Sequence, residues 1–142
     1  MTRSLLDDVR ITGRFWHFKI DGDPQPWKRK GGFGNRSYNP SRNAQKDIAW
    51  AVRACCPSMM NEDENLLWGV RLAFRSKRIA TTDVDNLAKN FLDALQGKGM
   101  CWTNDRCVRE IYAIAVPDPV PCTEGVIYLV TPDYLASWSV LR

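Results

Sequence analysis

The chain has 142 residues, 44% of them hydrophobic, and its formal net charge at pH 7 is +4. This length and composition suit one domain with a hydrophobic core, and no apolar run is long enough to cross a bilayer. Its five cysteines form no C-x-x-C pair. This argues against a cysteine-based zinc site and favours reduced thiols, so we expect a protein of the cytoplasm.

The first part of the chain predicts a strand, a basic loop and a helix. Aromatic residues at positions 15–20 predict the strand, and the glycine-rich, basic segment 21–39 predicts the loop. Pro40 and Ser41 are typical of a helix start, and the apolar spacing that follows predicts a helix to about residue 56.

The central part predicts a strand at 66–75, followed by an extended stretch that continues to Asp85. The β-branched residues at 81, 82 and 84 favour this extended conformation, which would place Asp83 and Asp85 on the same side of the chain. From Asp85 onward, apolar residues recur every four positions. This spacing predicts a helix that begins at Asp85 or Asn86 and ends before Gly97.

The last part predicts strands at 108–116 and 125–131 and a short helix at 134–141. No linker or internal repeat is visible. The predicted fold class is therefore α+β: a single domain, 1–142, with its core at about 15–131 and a mixed β-sheet on which two main helices pack.

Carboxylates and one lysine are concentrated in the central segment, at Asp83, Asp85, Lys89 and Asp105. We expect Asp105, which follows the helix and a glycine-rich turn, to fold back beside the other acids. Hard oxygen ligands with a nearby ammonium group suit a Mg²⁺-dependent reaction on a phosphate ester. The alternative is that Asp85, Lys89 and Asp93 form an ordinary solvated i, i+4 ladder, which contributes little.

Basic residues flank the acidic segment on both sides, as expected for a site that binds a polyanion. The candidate DNA-binding residues of the glycine-rich loop, which we expect to become ordered on DNA, are Lys28, Arg29, Lys30 and Arg36. Those just before the acids are Arg75, Lys77 and Arg78. For Arg42, Lys46 and Arg53 on the first predicted helix, the sequence alone favours a solvated face.

Three short segments resemble the signature of the RusA family: DVDNLAK at 83–89, FLDAL at 91–95 and WTNDRCV at 102–108. Segment 18–29 is more loosely similar to the family's opening strand, Gly-x-Pro turn and basic segment. Members of this family are small homodimeric endonucleases that resolve four-way DNA junctions, and phages and prophages often carry them. The resemblance therefore implies a RusA-like α+β fold and this activity.

The resemblance also implies roles for particular residues. Asp83, Asp85 and Asp105 match the metal-binding acids, and Lys89 matches the essential lysine. The implied cofactor is Mg²⁺, with Mn²⁺ as a substitute. The implied partners are branched DNA at the nucleoid and a second copy of the chain, with no membrane and no small-molecule substrate. The first acid of the family's usual Asp-Asp pair is Asn104 in this sequence.

Two other functional classes stay open. Because Asn104 departs from the family pattern, the chain could be a junction- or branch-binding protein that does not cleave. It could also be a Mg²⁺-dependent nuclease that acts on RNA or on other branched DNA.

Overall fold

Six strands and three helices are assigned in the computed structural model, which describes residues 5, 14–26, 31–33, 36–38, 41–56, 66–97 and 100–138. In chain order the strands are β1 (Phe15–Asp21), β2 (Gly31–Phe33), β3 (Arg36–Tyr38), β4 (Leu67–Ser76), β5 (Val108–Pro117) and β6 (Cys122–Val130). The helices are α1 (Arg42–Cys55), α2 (Val84–Ala94) and α3 (Pro132–Ala136).

Four of the strands form one mixed sheet in the order β1-β6-β4-β5, and β2 pairs with β3 separately. The strands β1 and β4 are antiparallel to β6, whereas β5 runs parallel to β4 along the edge of the sheet. A parallel pair needs a crossover connection, which here contains α2. The β4-α2-β5 unit therefore carries all four acidic and lysine positions that the sequence singles out.

The core lies between α1 and α2 and one face of the sheet. Phe18 of β1 stacks on Phe91 of α2 with 5.3 Å between ring centroids. Trp68 of β4 contacts the rings of Trp16 and Trp102 at 5.9 and 6.0 Å. These aromatic contacts fix α2 and the connection that follows it against the sheet, because each side chain buries a large apolar area in a specific geometry.

The predicted fold class is confirmed: the described residues form a small α+β domain with a mixed sheet. Among these residues, no helix is long and apolar enough to span a membrane. The last strand begins at Cys122, three residues before the predicted start at Gly125. Gly125 lies inside the strand, and the residue there must be glycine because a Cβ atom would clash with the ring of Phe18.

The prediction of an extended chain up to Asp85 is wrong. Strand β4 ends at Ser76, a 3-10 turn follows at Ile79–Thr81, and α2 begins at Val84. Asp83 is the residue that precedes the helix, and Asp85 lies in its first turn, where the helix dipole favours a negative charge. The two carboxylates therefore do not alternate along a strand.

Several other predictions concern the ends of elements. The loop predicted at 21–39 contains the short strands β2 and β3, and Arg36 begins β3. Lys28, Arg29 and Lys30 lie outside the described residues. The C-terminal helix α3 spans Pro132–Ala136, and residues 139–141 of the helix predicted at 134–141 lie outside the described part of the chain.

Candidate active site

A pocket of about 290 Å³ lies between α2 and the start of β5. Its polar lining consists of Lys89, Asp93 and Asp105. Its apolar lining consists of Leu92, Val108 and Ile111. Charged groups beside an apolar wall interact more strongly than they would in open water, because the local dielectric constant is lower.

The connection from α2 to β5 places Asp105 beside this pocket. Trp102 is buried, and its indole Nε1–H donates a hydrogen bond of 3.2 Å to the carbonyl oxygen of Leu92. The backbone N–H of Gly97, which has a φ of +130°, donates to the carbonyl oxygen of Trp102 at 2.9 Å. These bonds fix the connection against the C-terminal end of α2.

Asn104 orients the turn that carries Asp105. Its side-chain oxygen accepts a hydrogen bond of 3.0 Å from the backbone N–H of Arg106, and it caps the 3-10 turn Asp105–Cys107. Asparagine and aspartate are both effective caps, so this geometry is compatible with either residue at position 104. The departure at Asn104 thus has a local structural role.

Lys89 and the two acids of the pocket influence one another electrostatically. Nζ of Lys89 lies 3.9 Å from Oδ2 of Asp93, one helical turn away. Partial burial raises the pKa of the Asp93 carboxyl above its ordinary value; Lys89 opposes this shift, and the nearby charge of Asp105 adds to it. Of the alternative ladder Asp85–Lys89–Asp93, the pair Lys89–Asp93 is therefore present, and it belongs to a cluster that includes Asp105.

Asp83 and Asp85 lie at the other end of α2, and both are exposed. Eight residues separate Asp85 from Asp93 along the helix, which corresponds to about 12 Å at 1.5 Å per residue. As a donor set, the carboxylates of Asp83, Asp85 and Asp105 have the chemistry that Mg²⁺ prefers. However, the described residues contain no group of three acidic, histidine or cysteine side chains close enough to hold one ion.

The three basic residues predicted just before the acids, Arg75, Lys77 and Arg78, differ in their exposure. Lys77 and Arg78 are exposed between β4 and α2, at the same end of the helix as Asp83 and Asp85. Arg75, in contrast, is partly buried, and its Nη1 lies 3.7 Å from Oδ2 of Asp118. Lys77 and Arg78 are therefore open to solvent, whereas Arg75 is already paired with a carboxylate.

The sequence did not reveal the importance of Asn90, which is fully buried in α2. Its Oδ1 accepts a hydrogen bond from Gln45 of α1 at 3.1 Å, and its Nδ2 donates to the carbonyl oxygen of Gln25 at 2.9 Å. A second bond, from Ser76 Oγ to Asp23 Oδ1 at 2.9 Å, fixes the same loop to the end of β4. The sequence feature that could have identified Asn90 is its polar side chain within the apolar stripe of α2.

Comparison with known proteins gives one family. The chain matches the family model described as endodeoxyribonuclease RusA over residues 22–124, which is most of its length. The matched region contains α1, α2 and every residue of the pocket. A search of curated proteins gave no significant match.

Proposed function

Because the chain belongs to the endodeoxyribonuclease RusA family, we propose that it resolves four-way DNA junctions by paired symmetric nicks in recombination and repair. The observation that carries this proposal is the pocket in which Lys89, Asp93 and Asp105 meet inside the matched region. An ammonium beside carboxylates, in a cleft open to a polyanion, suits hydrolysis of a phosphodiester. The domain is proposed to extend over 1–142, with its core at about 15–131.

The role proposed for Lys89 is to neutralise negative charge that develops on the phosphoryl oxygens during cleavage. Asp93 holds the ammonium group of Lys89 on the pocket side of α2, which reduces the reorganisation needed at the moment of reaction. Leu92, Val108 and Ile111 form an apolar wall on one side of this charge. Lys89 therefore acts on the transition state, and Asp93 positions it.

The proposed metal ligands are Asp83, Asp85 and Asp105, with Mg²⁺ as the ion and Mn²⁺ as a substitute. A bound divalent ion would lower the pKa of a coordinated water and stabilise the charge of the phosphoryl group. The carboxylate chemistry of these residues supports this assignment, whereas their spacing along α2 gives no closed three-ligand group within the described residues. Titration calorimetry with Mg²⁺ should give weaker binding to Asp85→Asn than to the parent, with Asp133→Asn as the matched control on the exposed helix α3.

The proposed DNA contacts come from both predicted basic groups. Lys77 and Arg78 lie beside the N-terminus of α2. Lys28, Arg29, Lys30 and Arg36 follow a loop that Asn90 and Ser76 anchor to the same unit. Cations from two separate parts of the chain can neutralise several phosphates, which would orient the strand. Arg75 contributes less, because Asp118 already pairs with it.

A homodimer is proposed because two symmetric nicks require two sites, which a two-fold axis supplies with one kind of subunit. The edge strand β5 supports this proposal, since its side chains Ile111, Tyr112 and Ile114 are all exposed. Apolar side chains on an open sheet edge favour pairing with another chain. Sedimentation equilibrium of the parent and of Ile114→Lys measures whether this edge is used.

The function is tested with purified protein, Mg²⁺ and a four-way junction, beside linear duplex, flap, RNA and single-strand substrates. We expect paired nicks in the junction, and loss of cleavage with retained binding in Asp83→Asn and Asp105→Asn, while Asp133→Asn cleaves normally. Binding by the parent without any cleavage would instead support a non-cleaving junction-binding protein. Equal cleavage of flaps or RNA would support the broader nuclease.

A further inference from the structure

The outer surface of α1 carries a tryptophan, Trp50, that is 74% exposed. The opposite face of the same helix packs into the core through Val52, so Trp50 lies on the side directed toward solvent. A single exposed aromatic side chain needs no explanation in itself. The surroundings of Trp50, however, give it the features of a binding site.

Trp50 lines a cleft of about 380 Å³ between α1 and the connection that follows α2. The other lining residues are Lys46, Asp47, Ala49, Arg53 and Met100. Nη2 of Arg53 lies 3.0 Å from the sulfur of Met100, which holds the guanidinium group at the cleft. The cleft thus combines a flat aromatic ring, an apolar floor and two cations.

The charge around the cleft is predominantly positive. Arg42, Lys46 and Arg53 lie on one strip of α1, because their separations of four and seven residues are close to whole helical turns. Within the described part of the chain, neither Arg42 nor Lys46 forms an ion pair. Asp47 is the one carboxylate in the lining, and the cleft's two cations outnumber it.

The cleft lies close in sequence to the candidate active site. Met100 lies in the connection that leads through Trp102 to Asp105, and even if fully extended, the stretch from Met100 to Asp105 would span at most about 18 Å. Successive nucleotides of one strand advance about 3.4 Å along the axis of B-form DNA. A strand whose scissile phosphate occupies the pocket would therefore reach the cleft within roughly five nucleotides.

We propose that this cleft binds an unpaired base of the branched DNA, stacked on Trp50, with the flanking phosphates on Lys46, Arg53 and Arg42. Aromatic rings beside a positively charged groove are the usual means of binding a single strand, since every base has a face that can stack. A junction that opens at its crossover would supply such a base. The proposal rests on the proposed function for its substrate, but strand binding can be measured without cleavage.

The test uses a short oligonucleotide with one 2-aminopurine, in EDTA so that no cleavage occurs. The parent should quench the fluorescence of the stacked base, and Trp50→Ala should abolish the quenching and weaken binding about 5- to 150-fold, the range for losing one stacked base. Trp50→Phe should keep most of the affinity. The matched control is Trp138→Ala, because Trp138 is also exposed, at 69%, and lies beyond α3; it should bind as the parent does.

A second substrate locates the base. Abasic sites placed one at a time within five nucleotides of the cut should weaken junction binding at one or two positions in the parent, and at none in Trp50→Ala. Junction cleavage by a parent that quenches no 2-aminopurine would overturn the cleft proposal alone, whereas a parent that neither binds nor cleaves DNA would overturn both. A Trp50→Ala variant that changes only the oligomeric state would show a protein interface instead, and would also overturn the proposal.

Discussion

Replacing Lys89 by alanine separates a catalytic lysine from one that only braces a helix surface. The Lys89 and Asp93 side chains are 49% and 29% exposed, and the charged atoms are 3.9 Å apart. An exposed i, i+4 pair of this kind contributes about 0.3–0.5 kcal/mol. We therefore expect Lys89→Ala to lower the free energy of unfolding by less than about 1 kcal/mol.

The expected effect on the chemical step is much larger. Lys89 shares its pocket with three apolar side chains, so its charge is less screened there than on an open surface. Loss of one preorganised charge donor slows a reaction by about 10²-fold or more, equivalent to about 2.7 kcal/mol in the barrier. Junction binding should fall little, because one phosphate contact among many is lost.

Single-turnover cleavage at saturating enzyme measures this step separately from binding. Urea denaturation of the same preparations gives the stability, and Lys19→Ala, which removes an exposed lysine from β1, is the matched control. A Lys89→Ala rate within a few fold of the parent, with Lys19→Ala unchanged, would show that Lys89 acts only on the helix surface.

Three further predictions concern Asn90, Asp93 and the basic segment 28–30. Asn90→Leu should lower the free energy of unfolding, measured by urea denaturation, by about 1–3 kcal/mol, because it removes two buried hydrogen bonds. It should also weaken junction binding, because it releases the loop at Gln25. Unchanged binding would show that this loop does not contribute to DNA contact. Burial raises the pKa of Asp93 in the folded state, so the stability of the parent should fall as pH rises through that pKa. Asp93→Asn should lose this part of the pH dependence in urea midpoints, and equal profiles would contradict the assignment. Alanine at Lys28, Arg29 and Lys30 together should reduce the slope of log affinity against log salt by about one unit for each lost phosphate contact; an unchanged slope would leave these residues as a solvated surface.

The four strands of the mixed sheet and the first helix could be predicted from the sequence because their patterns are local, whereas β2 and β3 lie within the segment predicted as a loop. Apolar side chains alternate along β4, and the helix beginning after Ser41 follows the expected spacing to Cys55. Each pattern reflects burial of one face or stripe against the core, which the chain itself encodes. The confirmed fold class follows from the order of these elements.

The start of α2 and the position of Gly125 could not be predicted in the same way. Threonine and valine before Asp85 favour an extended chain, but Ile79 is buried, and the 3-10 turn that contains it brings the helix start forward to Val84. Gly125 resembled a strand boundary, whereas its actual role depends on the ring of Phe18 in a neighbouring strand. In both cases a tertiary contact overrides the local preference.

The arrangement of the candidate site also depends on tertiary structure, because α2 carries both a residue of the pocket and a residue of the core. Successive residues of a helix point about 100° apart, so Lys89 faces the pocket while Asn90 faces the core. One rigid helix thus connects the anchor of the loop before the basic segment to the lysine of the pocket. A change that shifts α2 to accommodate a new residue at position 90 must also move Lys89 relative to Asp105. The salt dependence of binding and the single-turnover rate should therefore change together in Asn90→Leu, whereas Lys89→Ala should lower the rate strongly and the salt slope by no more than about one unit.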